Sequence, residues 1–231
     1  KEINSTAYLP EAAIAELDQD DIQIISEPLP RIFAVFFNQN RSPALRDKAA
    51  RMALNAAVDR ERLVAEVLGG YGVPTAKPIL EELGALKSTS TELENNSVFS
   101  SEVARQILID GDWEQTETGS WEKEIDDAVE TLSLTIKTSN TELFEKTVTI
   151  ITEGWRALGV EVQVEQYDQT DLVQSVIRTR DFQALLFGLD MNRTEDLYPF
   201  WHSSQKDDPG LNIAQYTNIS VDRLLEKTRN S

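Results

Sequence analysis

The chain has 231 residues, and its 22 Lys or Arg against 40 Asp or Glu give a formal net charge of −18. So acidic a surface repels nucleic-acid phosphates and anionic membrane faces, which argues against both as partners. The absence of cysteine excludes disulfides, thiolate nucleophiles and zinc–thiolate sites. An apolar content of 40% is ordinary for a globular protein and provides for a real core.

The N-terminal half predicts strands and helices in alternation. Residues 3–18 predict a short strand and then a helix, and apolar runs beside proline predict strands at 22–25 and 32–37. The predicted helices share an apolar period of 3.6 residues and cover 44–58, 60–68 (with Asp59 as N-cap) and 100–109 (with Ser100 as N-cap). The polar stretch 81–97 predicts a loop.

The C-terminal half predicts three strands joined by two helices. The strands are 132–136, 160–164 and 182–187, and the helices are 142–158, which Gly159 ends, and 170–179, which Thr170 caps. This order favours an α/β layer whose strands are connected by crossover helices. Trp113 and Trp121 are expected to pack on the flank of the domain.

Residues 37–79 carry the densest motif. A strand ending in Phe-Asn leads to a Leu-x-Asp turn, two helices and a Pro-rich exit. The motif positions are Phe37, Asn38, Pro43, Leu45, Asp47, Ala50, Arg51, Ala53, Leu54, Ala57, Val58, Asp59, Arg60, Leu63, Val64, Gly70, Gly72, Pro74 and Pro78. In this order they resemble the signature of family-5 extracellular solute-binding proteins, the receptors of dipeptide and oligopeptide ABC transporters.

The resemblance implies an α/β fold that is one lobe of a type II periplasmic-binding-protein-like structure, with a mixed sheet flanked by helices. It implies that residues 1–231 are a single domain, the second lobe of a two-lobed receptor, with the first lobe and the C-terminal tail absent. The segments around residues 132–188 resemble the core of that lobe. An isolated lobe is expected to be a monomer and to bind ligand weakly or not at all.

The function that the resemblance implies is capture of short peptides by lobe closure and delivery to a membrane permease. The expected partners are a short peptide or other small solute and the permease of an ABC transporter, and the expected location is extracytoplasmic, with a possible lipid anchor. Two alternatives stay open: a sensor or adhesion module on the same scaffold, and a receptor for a non-peptide cargo such as a metal chelate, heme or an oligosaccharide.

The candidate ligand site follows the strand that ends at Gly188. In peptide-binding relatives an Asp a few residues past this Gly binds the α-ammonium of the ligand, through a strong charge-assisted hydrogen bond. Here Asn192 is four residues past Gly188 and Asp190 is two past it. Either the role moves to Asp190 or the ligand lacks a free amine, and a solvated loop or helix cap is the structural alternative.

Three further residues complete the candidate ligand set. Trp201 belongs to an aromatic cluster that serves either the cleft or the core. His202, the only histidine, is expected to form a structural or cleft-edge hydrogen bond, because a lone His without Cys makes no multi-ligand metal site. Asn38 closes a strand and is expected to contact ligand backbone or to fix a turn.

Enzymatic motifs are absent from the sequence. It has no Gly-x-Ser-x-Gly elbow, no P-loop and no His-Glu-x-x-His. Adjacent carboxylates are too frequent in so acidic a chain to identify a hydrolase. The sequence therefore predicts a binding protein without catalytic residues, resident metal or cofactor.

Overall fold

The structure is a computed structural model that describes residues 31–75, 99–190 and 196–229, together with residues 17, 23–25 and 29. The strands are β1 Arg31–Phe37, β2 Glu114–Gln115, β3 Trp121–Ile125, β4 Ala128–Thr131, β5 Ser133–Ser139, β6 Glu161–Tyr167 and β7 Ala184–Asp190. The helices are α1 Pro43–Arg46, α2 Lys48–Ala56, α3 Arg60–Val67, α4 Ser101–Asp110, α5 Glu142–Leu158, α6 Gln169–Asp171, α7 Tyr198–Trp201 and α8 Ile219–Arg229. A π-helical turn, Leu172–Ile177, continues α6, and a 3-10 turn, Ser203–Gln205, follows α7.

A four-stranded sheet in the order β1-β7-β5-β6 forms the centre of the fold. β5 runs parallel to β6 and to β7, and β1 runs antiparallel to β7. Helix α5 makes the crossover from β5 to β6, and α6 with its π turn leads from β6 to β7, because parallel neighbours need long connections. This mixed sheet with its helices confirms the predicted fold class.

The two faces of the sheet bury separate apolar cores. The larger core lies between the sheet and helices α2, α4 and α5, where Val35 and Phe37 of β1 pack near Trp155. The smaller core lies under the π turn and receives Phe36 from the other face of β1. The alternation of β1 between the cores follows from the two-residue period of a strand.

Three buried tryptophans pack in the larger core, and each forms a hydrogen bond to another segment of the chain. Trp113 and Trp121 are 2% and 1% exposed, so the prediction that they pack on the flank is wrong. Each buried indole N–H donates a hydrogen bond, from Trp121 to Leu158 O, from Trp155 to Leu54 O and from Trp113 to an Asp47 carboxylate oxygen. Such rings bring a large apolar area into a core once their N–H has a partner.

The predicted single helix over residues 44–58 is wrong, because Asp47 divides it into α1 and α2. Asp47 has an extended backbone (φ −69, ψ 129), and its carboxylate accepts from Ala50 N at 2.9 Å, which caps α2. The same carboxylate accepts from Lys123 Nζ at 2.7 Å. Burial alone would raise the pKa of Asp47, but the hydrogen bonds from Lys123, Ala50 and Trp113 lower it on balance. The break joins α2 to the small sheet β2-β3-β4.

Most other predicted elements are confirmed. The strand at 32–37 and the helices at 60–68, 100–109 and 142–158 form with the expected caps, and Gly159 ends α5 at φ +100. The strands predicted at 132–136 and 160–164 form but extend further. The elements predicted at 3–18 and the loop predicted at 81–97 lie outside the described residues, apart from Leu17.

Three predictions near the strands and caps are wrong. Residues 23–25 form no strand and are exposed, because neither sheet offers them a partner. Asp168, not Thr170, caps α6, and its carboxylate accepts from both Thr170 N and Asp171 N. The third error concerns bounds alone: the strand predicted at 182–187 forms as β7, Ala184–Asp190, and Phe182 is buried in the smaller core before β7 begins.

Candidate functional site

The carboxyl ends of the parallel strands β5, β6 and β7 meet at one side of the sheet, here called the carboxyl edge. Ser139, Tyr167 and Asp190 end these three strands, and the first turn of α5 follows β5 directly. Ligands of open α/β sheets bind outside this edge. The carboxyl edge is therefore the candidate site.

Asp190 lies on the carboxyl edge opposite Arg31, the first residue of β1. Its Oδ2 is 3.6 Å from Arg31 Nη2, and the two side chains are 48% and 49% exposed. Such an ion pair contributes little, because water screens both charges. Both side chains are therefore partly accessible to solvent at the carboxyl edge. Asn192, the second candidate for ammonium binding, lies outside the described residues.

Asn38 lies at the end of the β1–β7 pair opposite to Asp190. It directly follows β1, whose last residue pairs with the first residue of β7. Its side chain is buried, donates from Nδ2 to Arg180 O at 3.0 Å and accepts from Asn40 N at 3.1 Å. The 7 residues of β7 separate the two ends by about 20 Å. The structure therefore does not bring Asn38 and Asp190 together around one small solute.

The chain after β7 forms a capping segment, residues 196–216, which covers the sheet face of the smaller core. Arg180 fixes its middle, because its buried guanidinium donates to Lys206 O and Gly210 O, and also to Ile177 O at the end of the π turn. Asn212 fixes the interior. It is fully buried, donates to the carbonyls of His202 and Tyr216 and accepts from Tyr216 N.

Trp201 lies in the capping segment, facing β1. It lines an apolar pocket whose β1 wall consists of the side chains that point to this face, Ile32, Ala34 and Phe36. Its ring meets Tyr216 edge-on at 6.0 Å, and its buried Nε1 has no hydrogen-bond partner among the residues that the structure describes. Trp201 therefore lies on the face opposite to Arg31, because side chains alternate along β1.

His202 is buried by its own chain. It is 7% exposed, and its ring stacks on Tyr198 at 4.1 Å. Nδ1 accepts from Ser204 N at 3.1 Å, and Nε2 is 3.4 Å from a carboxylate oxygen of Glu226 in α8. His202 thus contacts other parts of the capping segment and α8, and its predicted structural or cleft-edge hydrogen bond to a ligand site stays a prediction.

Helix α8 docks on the capping segment through its charged side chains. The Asp222 carboxylate accepts from Ser203 N at 2.9 Å and from Ser203 Oγ at 2.7 Å. Arg229 lies 4.6 Å from the centre of the Tyr198 ring. Hydrogen bonds from the hydroxyl and then the N–H of Ser203 lower the pKa of Asp222.

We expect the Asp222 contact to stabilise the protein at neutral pH and to be lost in acid. A carboxyl with a lowered pKa stabilises the folded state above its ordinary value of 3.8, and the contribution disappears as pH falls through the lowered value. Asp222→Asn should therefore be less stable than the parent at pH 6, with a gap that closes below pH 3.8. Urea midpoints of both proteins from about pH 6 to about pH 2 measure the gap; a constant gap would contradict the assignment.

Sequence reasoning missed Arg31 and Arg180. Arg31 precedes an apolar run, and only the register of β1 against β7 places it beside Asp190. Arg180 has a left-handed backbone at φ +56, which no sequence pattern indicates for arginine. Among the described residues, no group of three or more His, Asp or Glu side chains is placed to hold a metal ion.

Comparison with known proteins identifies relatives of the whole chain. Oligopeptide-binding protein AppA of Bacillus subtilis is 25% identical over 94% of this chain and 43% of its own length. The AppA structure in complex with a nonapeptide superposes with a TM-score of 0.77 at 24% identity, covering 92% of this chain and 41% of AppA. NikZ from Campylobacter jejuni in complex with Ni(L-His) gives 0.74 at 23% identity, covering 93% and 42%. The chain thus spans less than half the length of these relatives.

In the part that the structure describes, no helix has the length and apolar character that crossing a membrane requires.

The match to a protein family covers most of the chain. Residues 1–210 match the family of bacterial extracellular solute-binding proteins, family 5, middle region. The chain therefore belongs to the family-5 bacterial extracellular solute-binding proteins.

Proposed function

We propose that this chain is the second lobe of a two-lobed receptor that captures short peptides for an ABC transporter. Family membership supports a solute-binding role, and the nonapeptide bound by the relative AppA supports a peptide cargo. The observation that carries the proposal is the half-exposed Asp190–Arg31 pair at the carboxyl edge. It offers one group for a ligand's ammonium and one for a carboxylate.

Capture requires a second surface, because the Arg31 and Asp190 side chains are each about half exposed. A ligand that contacts both lobes favours the closed arrangement by the contacts made only then. This lobe would supply charged groups, and the first lobe would exclude water and complete the hydrogen bonds. The closed receptor would then dock on a membrane permease outside the cytoplasm. No bond of the ligand is made or broken.

The test is the binding of a natural cargo peptide to the full-length protein. Native mass spectrometry of protein purified without denaturation identifies the cargo, and calorimetry then compares that peptide with its N-acetylated form. We expect Asp190→Asn to weaken the free-amine peptide about tenfold, since a hydrogen bond to a charged group is worth ~1.5–3 kcal/mol. The acetylated peptide should bind both proteins equally.

The matched control is Asp127→Asn, which removes the same charge from an exposed turn between β3 and β4. Asp127 has φ +63, a conformation that asparagine accepts readily, so this variant should bind like the parent. Equal loss for free and acetylated peptides would contradict the role of Asp190. A single co-purifying non-peptide mass, such as a metal chelate, would contradict the peptide cargo and retain solute binding.

A further inference from the structure

We propose that Phe33, Phe144 and Gly188 form an aromatic ledge that binds the apolar side chain of the ligand's amino-terminal residue. The inference rests on the proposed function and adds a specificity determinant to the same site. The ledge has two partly exposed aromatic rings, those of Phe33 and Phe144, and its third residue, Gly188, has no side chain. The three residues come from β1, from the first turn of α5 and from β7.

The two rings meet at the carboxyl edge. Phe33 and Phe144 have centroids 5.9 Å apart at an interplanar angle of 66°, a T-shaped contact of the kind that aromatic pairs prefer. Phe33 is 39% exposed, although Val35 and Phe37 on the same face of β1 pack on the larger core. The exposed part of Phe33 therefore offers apolar area where a ligand arrives.

Gly188 makes the ledge possible. It lies directly opposite Phe33 in the antiparallel pair, and a Cβ built on it would sit 3.0 Å from Phe33 Cε1 and 3.1 Å from Cδ1. A Cβ at this position would therefore require the Phe33 ring to shift by a few tenths of an ångström. The glycine thus lets Phe33 lie across the end of β7.

The charges beside the ledge indicate its occupant. Arg31 and Phe33 are on one face of β1, and their partners Asp190 and Gly188 are on the same face of β7. Two residues along a strand span about 7 Å, a distance over which an amino-terminal residue can place its ring on Phe33 and its ammonium at Asp190. Arg31 and Asp190 are charged, and the ledge beside them is apolar. This arrangement matches a peptide with a charged amino terminus whose first side chain is aromatic or large and aliphatic.

The experiment compares peptides that differ only in the position of one aromatic residue. Alanine peptides of about three, five and nine residues, with Phe first, Phe last or no Phe, are titrated into the full-length protein by calorimetry. We expect Phe33→Ala to weaken the Phe-first peptides about tenfold, since aromatic contact and apolar burial together amount to ~1.4 kcal/mol. The Phe-last and all-alanine peptides should change less than about twofold. Phe33→Leu should lie between the parent and Phe33→Ala.

The control is Phe99→Ala, because Phe99 is 42% exposed but precedes α4, away from the carboxyl edge. It should leave every affinity unchanged within about twofold. One outcome would overturn the inference: Phe33→Ala weakens all peptides equally and also lowers the melting temperature of the ligand-free protein more than Phe99→Ala does. That result would indicate that the protein's own chain covers the ledge. A parent that binds peptides without preferring Phe-first peptides would overturn the inference alone. A parent that binds no peptide would overturn the peptide cargo as well.

Discussion

Arg180→Met is expected to lower the free energy of unfolding by about 3 kcal/mol, because three carbonyl groups lose a charged donor. Those carbonyls belong to Ile177, Lys206 and Gly210, so one side chain joins the end of the π turn to two points of the capping segment. Burial lowers the pKa of the Arg180 guanidinium, and the nearby carboxylates of Asp208 and Asp207 raise it. Methionine fills a similar volume without donating a hydrogen bond.

The measurement is urea unfolding of both proteins, with hydrogen exchange across residues 203–216 to locate the loss. Arg178→Met is the matched control, since Arg178 is 49% exposed and pairs with Asp208 at 3.2 Å. An exposed pair of this kind contributes about 1 kcal/mol or less. Arg180→Lys should recover only part of the stability, because one ammonium cannot reach carbonyls in three directions. Equal effects of Arg180→Met and Arg178→Met would contradict this account.

Gly154→Ala is expected to destabilise the protein by about 2 kcal/mol, although alanine favours a helix over glycine by ~1 kcal/mol. Gly154 lies within α5, and a Cβ there would sit 2.1 Å from the carbonyl oxygen of Ala57. That oxygen belongs to the residue directly after α2, so the methyl group would force α5 away from the larger core. Trp155 would move with it and lose its hydrogen bond to Leu54 O.

Thermal and urea unfolding measure the change. Thr149→Ala is the control, because Thr149 is exposed on the same helix, where the substitution should change the stability by about 0.5 kcal/mol or less. The near-ultraviolet circular dichroism of Trp155 should change in Gly154→Ala and not in the control. If Gly154→Ala is as stable as the parent or more so, the close approach of α5 to Ala57 is not rigid.

The regular elements were predictable because local patterns specify them. The period of 3.6 residues and the terminal glycine define α5, and a serine or aspartate cap marks α3 and α4. The division of α1 from α2 was not predictable in this way. Asp47 leaves the helical conformation to satisfy Lys123 and Trp113, which are far away in the sequence. Tertiary contacts of this kind override local propensity.

The candidate site was predictable only in part. The resemblance to the family offered Asp190 and Asn192 from their distances to Gly188, and the ligand-binding role of either residue stays a prediction; the Asp190 carboxylate is half exposed at the carboxyl edge. No sequence pattern marked Arg31 or Phe33 as site residues, because the register of an antiparallel pair decides which side chains are neighbours. Asn38 was grouped with Asp190 from its place at a strand end. The direction of β1, which decides the edge, follows from the pairing with β7 and not from the sequence of β1 itself.

The antiparallel pairing of β1 with β7 also constrains the order in which the molecule assembles. Phe37 pairs with Ala184, which the ribosome adds roughly 150 residues later. At about 5–20 residues per second, β1 waits roughly 7 to 30 seconds without its partner. The unit β5-α5-β6 can meanwhile fold from neighbouring segments, which lose less entropy on closure. Until β7 is made, the backbone groups and apolar side chains of β1 lack the strand that covers them in the fold.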